Sequence, residues 1–486
     1  MSQEPKKVDR RSFLYVGLGA VALVAIGAAA YIAMNPPVVT QTVTTATTVP
    51  TTSVVTTTTA TTSVVTTTVP TTSVVTTTVP PTKVNVMAQS ALAEMYGPII
   101  SSFMTKTGIP VEMVPVPHQE MKAKGLIELS AGSPTFDVLT CEATWTPDWS
   151  PYLEDLYPYT VRDKFDLSPF NSSMLGLFSP PFFGQYKQGN PLYAIPFAIG
   201  QRMLAYRYDL FEKEGIKIPE TIPEFLDVAQ KLNKGGIAGY GLQGGTTVYT
   251  VSEWVHFLWA FGGELLVLEG EKWKVTVNED PGIKALQFWV DLRNKYNVVQ
   301  ASAPQDAYAE ILVHAQQGDI AMGTFYSGWI NAANDPSKSK VAGAWRLARF
   351  PYHPDYVKSD HRRSWLSGWS LALNKASKNK DNGWELIKYF GTPEVQLRLG
   401  LEYATGGEPT HNSVFANPDY LKKNPSAPEI LKNFDIVRTL TMPLHPKVEE
   451  VRDVLRVELN NALLQKKTPK EALDDGAKAI KERLGL

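Results

Sequence analysis

The stretch Val84–Cys141 decides the fold, because short apolar runs alternate in it with segments of helical periodicity. Its three strand patterns are Val84–Gln89 (VNVMAQ), Ile109–Val116 (IPVEMVPV) and Phe136–Cys141 (FDVLTC). Helical spacing of apolar residues occupies Ala91–Thr107 and Glu120–Leu129 between them. The order β-α-β-α-β predicts an α/β fold with a parallel sheet covered by helices.

The carboxyl ends of these strands indicate where a ligand would lie. In open α/β sheets, ligands bind in the crevice beyond the carboxyl ends of the strands. Those ends are Gln89-Ser90, Pro117-His118 and Glu142. The sequence therefore predicts that Glu142 faces a crevice.

Composition excludes several classes of protein. The chain has 486 residues, a formal net charge of −1 and one cysteine, and its eleven tryptophans all follow residue 83. A near-zero charge with no basic run argues against nucleic-acid binding. The single Cys141 excludes a disulfide framework and a cysteine-based metal centre, and the seven histidines lack the spacing of a helical metal pair. We therefore expect neither a cofactor nor a metal, and body residues 84–486 are long enough for two lobes.

The leader has the pattern of an export segment. Residues 1–11 are basic and are expected in the cytoplasm, and residues 12–34 form an uncharged run long enough to span a bilayer as a helix. The segment Asp9-Arg10-Arg11-Ser12-Phe13-Leu14 resembles a twin-arginine signal, with an ordinary signal anchor as the alternative. Cleavage near Gly27–Ala30 would instead release a secreted protein. We expect the anchor to be retained, so that the body stays tethered to the extracellular face of the membrane.

Residues 35–83 are rich in threonine, valine and proline. Three decamers repeat there, namely Thr51–Ala60 (TTSVVTTTTA), Thr61–Pro70 and Thr71–Pro80 (both TTSVVTTTVP). Such a segment cannot build a core, and its composition is typical of a disordered, O-glycosylated stalk, with an unmodified linker as the alternative. A spacer of this kind fits a retained anchor.

Several motifs of the body occur in one order and carry a family resemblance. They are Leu192–Gly215 (LYAIPFAIGQRMLAYRYDLFEKEG), Gly262–Leu265, Gly318–Met322, Trp365–Leu371 followed by Asn374-Lys375, and Thr468–Leu473. Together they resemble the extracellular solute-binding proteins of ABC importers, in the sugar-binding group. The resemblance covers about residues 84–486.

The resemblance implies a periplasmic-binding-protein-like fold of type II, with two discontinuous α/β lobes joined by hinge strands. We expect lobe 1 to comprise residues 84–196 and about 330–374. Lobe 2 would then comprise about 197–329 and 375–486. The ligand would be captured between the lobes, and the closed form of this monomer would dock on a membrane permease.

The resemblance also implies ligand-binding residues. Glu142 matches an acidic residue that bonds sugar hydroxyls, and Tyr326 and Trp369 match aromatic residues that stack on sugar rings. Trp329 shares that role or fills the hinge core. In the turn Ser367-Gly368-Trp369, the family's first glycine is replaced by serine, which puts a close backbone approach there in doubt.

Departures from the family pattern suggest a roomier, less polar pocket. Positions at which relatives carry a tyrosine, an aspartate and an arginine are Ala198, Gly200 and Met442 here. Further candidate ligand residues are Arg202, Gln243, Tyr249 and Glu408, and Arg202 could equally have a surface role.

The sequence favours a binding protein for a mono- or oligosaccharide without enzymatic activity. An exported carbohydrate-active enzyme would need a pair of carboxylates, which one sequence cannot exclude. A structural cell-surface protein is a third interpretation. A non-sugar solute such as a glycerol-phosphate or a polyamine remains an alternative ligand.

Overall fold

The computed structural model describes residues 40–48, 51–52, 66–67, 70–78, 81–182, 185–270, 272–359, 362–402, 407–436, 445 and 447–486. The basic segment 1–11 and the expected membrane segment 12–34 lie outside these residues, as does much of the stalk. Within the described ranges, no helix is long and apolar enough to cross a membrane.

The secondary structure comprises thirteen strands and nineteen α-helices within the described ranges. The strands are β1 (Thr40–Thr48), β2 (Thr51–Thr52), β3 (Thr66–Thr67), β4 (Pro70–Thr78), β5 (Val84–Gln89), β6 (Val111–Val116), β7 (Val138–Glu142), β8 (Ile195–Arg207), β9 (Leu266–Glu269), β10 (Lys272–Val275), β11 (Met322–Tyr326), β12 (Trp345–Ala348) and β13 (Leu366–Leu373). The helices are α1 (Ser90–Met95), α2 (Gly97–Thr107), α3 (His118–Ser130), α4 (Thr146–Trp149), α5 (Tyr157–Arg162), α6 (Ser172–Gly176), α7 (Tyr208–Glu214), α8 (Ile222–Leu232), α9 (Val248–Ala260), α10 (Asp280–Asn294), α11 (Tyr308–Gln317), α12 (Trp329–Ala333), α13 (Lys380–Phe390), α14 (Pro393–Glu402), α15 (Asn412–Phe415), α16 (Pro418–Lys423), α17 (Ala427–Ile436), α18 (Val448–Leu463) and α19 (Pro469–Leu484).

Chain packing divides the protein into two units, residues 1–84 with 97–112 and residues 85–96 with 113–486. In the first unit, β1 pairs antiparallel with β4, and β2 with β3. The stalk was expected to be disordered, so this pairing is a difference from the prediction. Its physical reason is that threonine and valine are β-branched and favour extended backbone.

One helix was expected over Ala91–Thr107, and the structure has two, α1 and α2. The break falls at Tyr96, just before Gly97-Pro98. Proline has no N–H to donate and its ring clashes with the carbonyl four residues earlier, so a continuous helix cannot pass through it.

A mixed sheet forms the centre of the second unit, with the strand order β11-β8-β13-β7-β5-β6. Strands β5 and β7 are parallel, as the β-α-β-α-β pattern predicts. Strand β13 enters between β7 and β8 and runs antiparallel to both. It brings residues 366–373 beside the end of β7, where a ligand was expected.

Strand β8 is thirteen residues long and buried throughout. Its first part, up to Gln201, pairs with β13. Its second part, from Arg202, pairs with β11 on one edge and, from Leu204, with β12. One continuous strand therefore belongs to two differently paired regions of sheet.

One hydrophobic cluster joins side chains from Leu204 to Met322 with α18 and α19. Ala348, Phe350 and Trp365 belong to the same cluster. Strand β12 pairs with the second part of β8, which places Ala348 in this cluster. Residues 330–374 were expected with the other lobe, and those boundaries stay a prediction.

Candidate functional site

Glu142 is the last residue of β7, and its carboxylate is held from two sides. The hydroxyl of Ser367 donates to Oε1 at 2.8 Å, and Nε2 of His118 lies 2.9 Å from Oε2. The strand register places Trp369 of β13 directly opposite Glu142. Because β7 is wholly buried, its end presents this carboxylate at a fixed position.

The His118–Glu142 pair favours the charged form of both groups. Burial would raise the pKa of Glu142, but the hydrogen bonds from His118 and Ser367 and the charge of His118 lower it overall. The hydrogen bond to Glu142 raises the pKa of His118 above its ordinary 6.5. An opposite charge at hydrogen-bonding distance has this effect on both partners.

Two indole rings pack beside the pair. The imidazole of His118 lies 5.6 Å from the ring of Trp145 and 5.7 Å from that of Trp369, measured between centroids. Trp145 and Trp369 meet edge to face at 5.5 Å. Trp145 is buried, whereas Trp369 is partly exposed. We call His118, Glu142, Trp145, Ser367 and Trp369 the Glu142 cluster.

At Gly368 the backbone of β13 still lies close to the backbone of β8, although serine replaces the family's glycine at the preceding position 367. A β-carbon on Gly368 would stand 2.6 Å from Cα of Ile199 in β8, which no side chain allows. Ser367 can replace a glycine because its side chain reaches Glu142 instead.

A second group of aromatic residues comes from α9, α11 and β11. Tyr249 stacks on Tyr308 with centroids 4.9 Å apart, and Tyr308 meets Tyr326 edge to face at 5.5 Å. Trp329 contacts Tyr308. All three tyrosines are partly exposed, and their hydroxyls have no hydrogen-bond partner among the described residues. We call Tyr249, Tyr308 and Tyr326 the tyrosine cluster.

Gly200 connects the two clusters. A β-carbon on Gly200 would lie 3.5 Å from Cδ1 of Tyr326 and 3.9 Å from the carbonyl oxygen of Ser367. Burial raises the pKa of Tyr249 and Tyr326, and the Glu142 carboxylate raises both further. Gly200 thus lies where the Glu142 cluster and the tyrosine cluster approach each other.

Arg202 and Gln243 were expected to reach a ligand, but the structure gives them internal partners. The buried guanidinium of Arg202 donates to the carbonyl of Tyr249, to Ser252 and to Oε1 of Gln243, at 3.0, 3.0 and 2.7 Å. It also lies over the ring of Tyr326, 5.0 Å from the centroid. Arg202 therefore supports the tyrosine cluster from inside the protein.

Glu408 is also placed in the interior. It forms a bridge with Ile199, and its carboxyl group accepts a hydrogen bond from the hydroxyl of Tyr420. Burial raises the pKa of Glu408 to about 7. The structure thus gives Glu408 an internal partner, and its contact with a ligand stays a prediction.

His118, Tyr308 and Trp145 were not among the ligand-binding residues predicted from the sequence. A signal existed for His118, because it follows the strand end Pro117 at the predicted crevice. Tyr308 begins α11 without any distinguishing motif. No group of three or more potential metal ligands is present in the described ranges.

The sequence matches the family described as "Bacterial extracellular solute-binding protein" over residues 88–397. A probable amino-acid ABC transporter periplasmic-binding protein of Sinorhizobium fredii is 24% identical over 81% of this chain and 87% of its own length. An erythritol/L-threitol-binding protein of Mycolicibacterium smegmatis is 23% identical over 66% of this chain and 69% of its own.

The fold is similar to that of solved binding proteins. The maltose-bound structure of T. maritima MalE3 superposes with a TM-score of 0.70 at 26% identity, covering 82% of this chain and 99% of the other. The α/β architecture is thus periplasmic-binding-protein-like.

Proposed function

The chain belongs to the bacterial extracellular solute-binding protein family, and we propose that its ligand is a neutral polyhydroxylated solute, a sugar or a polyol. One observation carries this proposal: Gly200 lies beside both Tyr326 of the tyrosine cluster and the carbonyl oxygen of Ser367 in the Glu142 cluster, so the two clusters are neighbours. The family is one of binding receptors, and we propose that the chain releases its ligand unchanged.

The chemistry of the two clusters suits hydroxyl groups. A carboxylate accepts hydrogen bonds from hydroxyls, and charge-assisted bonds are the stronger kind. The partly exposed face of Trp369 suits the apolar C–H face of a sugar ring or a polyol chain. The free hydroxyls of Tyr249, Tyr308 and Tyr326 can both donate and accept.

The relatives support this class of ligand without fixing one member. One is named for erythritol and L-threitol, and one solved structure holds maltose. Another is named as a probable amino-acid binder. A ligand panel therefore has to contain sugars, polyols and amino acids, together with a glycerol-phosphate and a polyamine.

We propose two lobes whose boundaries follow the packing. The first comprises residues 85–96, 113–201 and about 366–436, and the second comprises residues 202–365 and about 447–486. The division falls within β8, between its two pairing regions. The Glu142 cluster belongs to the first lobe and the tyrosine cluster to the second, so closure would bring both onto one ligand.

Export and delivery complete the proposal. We propose that the closed form delivers the solute to an ABC permease, that the chain acts as a monomer, and that residues 12–34 tether it through the stalk. Recovery of the full-length chain in the membrane fraction, and its loss from that fraction on deletion of residues 1–34, would support the tether.

Binding is tested with intrinsic tryptophan fluorescence and thermal unfolding across the panel. We expect one or more sugars or polyols to shift the emission and raise the melting temperature, because a ligand selective for the native state stabilises it by mass action. Trp369→Ala should weaken that binding about tenfold or more.

Trp273→Ala is the matched control, since Trp273 is partly exposed on β10, outside both clusters. It should leave the affinity unchanged. Equal affinity of Trp369→Ala and the parent chain would refute the placement of the site. Turnover of an oligosaccharide would instead establish an enzyme.

A further inference from the structure

The environment of His118 differs from that of an ordinary surface histidine. Its side chain is 40% exposed, yet it packs against two indoles and against Glu142. Other charged groups reach it from α18, where Glu449 would favour and Arg452 would disfavour its protonation. Those two form their own ion pair at 2.9 Å. The charge of Glu142 is therefore balanced by His118.

We propose that His118 is a positioning residue that fixes the Glu142 carboxylate for the ligand and makes ligand affinity depend on pH. This inference rests on the proposed function, because it needs a ligand that covers the pair. Ser367 donates to one oxygen of the carboxylate, His118 pairs with the other, and Thr144 makes a longer bond of 3.4 Å to the oxygen that Ser367 holds. These contacts fix the carboxylate, which has about four lone-pair sites and so keeps acceptor capacity for a donor on the ligand.

The direction of the pH dependence follows from burial. A ligand that covers the pair removes it from water, and burying a carboxylate beside a neutral imidazole costs more than burying an ion pair. The bound state therefore retains the proton on His118 to a higher pH than the free state. Affinity is highest below the pKa of His118 in the free protein, which Glu142 raises above 6.5, and it falls as the pH rises through that value.

Isothermal titration calorimetry of the full chain with the tightest-binding sugar or polyol of the panel tests the inference. We expect the Kd to rise about tenfold between pH 6 and pH 9, in line with uptake of one proton on binding. Titrations at pH 8 in two buffers of different ionisation enthalpy should show that uptake directly. This readout uses the unaltered chain and does not depend on a variant that folds.

His118→Gln keeps a donor for Glu142 but cannot titrate. It should bind with a Kd that changes less than about threefold over the same pH range. His353→Gln, which replaces a histidine packed against Phe261 and Tyr356, should keep the full tenfold change.

The outcomes separate the two proposals. Tight binding with a Kd that is constant from pH 6 to pH 9, and no proton uptake, overturns the role of His118 and leaves the proposed function standing. A pH dependence that persists in His118→Gln also overturns it. Failure of every sugar and polyol to bind at any pH overturns the proposed function, and the inference with it.

Discussion

Replacing Arg202 by methionine should destabilise the protein strongly and in a pH-dependent manner. Its guanidinium is fully buried and lies near the buried carboxyl of Glu253. Burial raises the pKa of Glu253 to about 7, and the charge of Arg202 limits that rise. Glu253 also accepts hydrogen bonds from the backbone N–H of Gln243 and the indole of Trp289.

The loss of folding stability in Arg202→Met has two parts. At pH 5 Glu253 is protonated, so the variant loses the hydrogen bonds of Arg202 and leaves buried acceptors unsatisfied, a cost of about 3 kcal/mol. At pH 8 the loss of the cation raises the pKa of Glu253 further, so the folded variant has to bind a proton that the parent chain does not need, and the cost grows to about 5 kcal/mol. The destabilisation by Arg202→Met thus grows with pH.

The unaltered chain should also lose stability as the pH rises. Glu253 has a pKa of about 7 in the folded protein and 4.5 as an unperturbed carboxyl. The folded state therefore binds the proton more tightly, and stability falls as the pH rises from 4.5 through 7. By linkage this loss is about 3 kcal/mol in total.

Urea unfolding followed by tryptophan fluorescence at pH 5 and pH 8 measures these differences. The double variant Arg202→Met/Glu253→Gln should lose the pH-dependent part, because no buried carboxyl is left to ionise. Equal destabilisation of Arg202→Met at both pH values would refute the reasoning. So would a double variant with the same pH dependence as the single one.

Two other positions give simpler tests. Gly200→Val should weaken sugar or polyol binding at least tenfold by calorimetry, because its methyl groups would lie against Tyr326, and unchanged affinity of this variant would contradict the prediction. Gly200→Ala, whose β-carbon makes only ordinary contacts, should retain the native melting temperature. Burial raises the pKa of the Cys141 thiol to about 12, so iodoacetamide at pH 8 should label Cys141 only in the unfolded chain, and rapid labelling of the native protein by mass spectrometry would contradict that.

The elements that the sequence predicted well are those with strong local signals. The strand ending at Glu142 and the helix that begins after Thr468, with its capping box to Glu471, both appear in the structure. The opposition of Trp369 and Glu142 could be inferred only through the family resemblance, because 227 residues separate them (369 − 142) and no local pattern encodes that pairing.

The interior roles of Arg202, Gln243 and Glu408 could not be predicted because polar residues look alike in a sequence whether they face a ligand or each other. Arg202 and Gln243 lie 41 positions apart and bind each other. His118 could have been predicted as a site residue, because it follows the end of a predicted strand. No pattern in the nearby sequence, however, indicated that it would pair with Glu142. What sequence reasoning lacked was the tertiary partner of each polar group.

The double pairing of β8 also constrains the order in which the chain can fold. All three strands that pair with β8 come later in the sequence, and the last, β13, starts at Leu366. During synthesis, β8 therefore emerges long before any partner, and contacts at such separations form slowly. Any fragment that ends before Leu366 leaves one edge of β7 and the first part of β8 without β13. Such open apolar edges favour self-association, so the last quarter of the chain also protects the first part from aggregation.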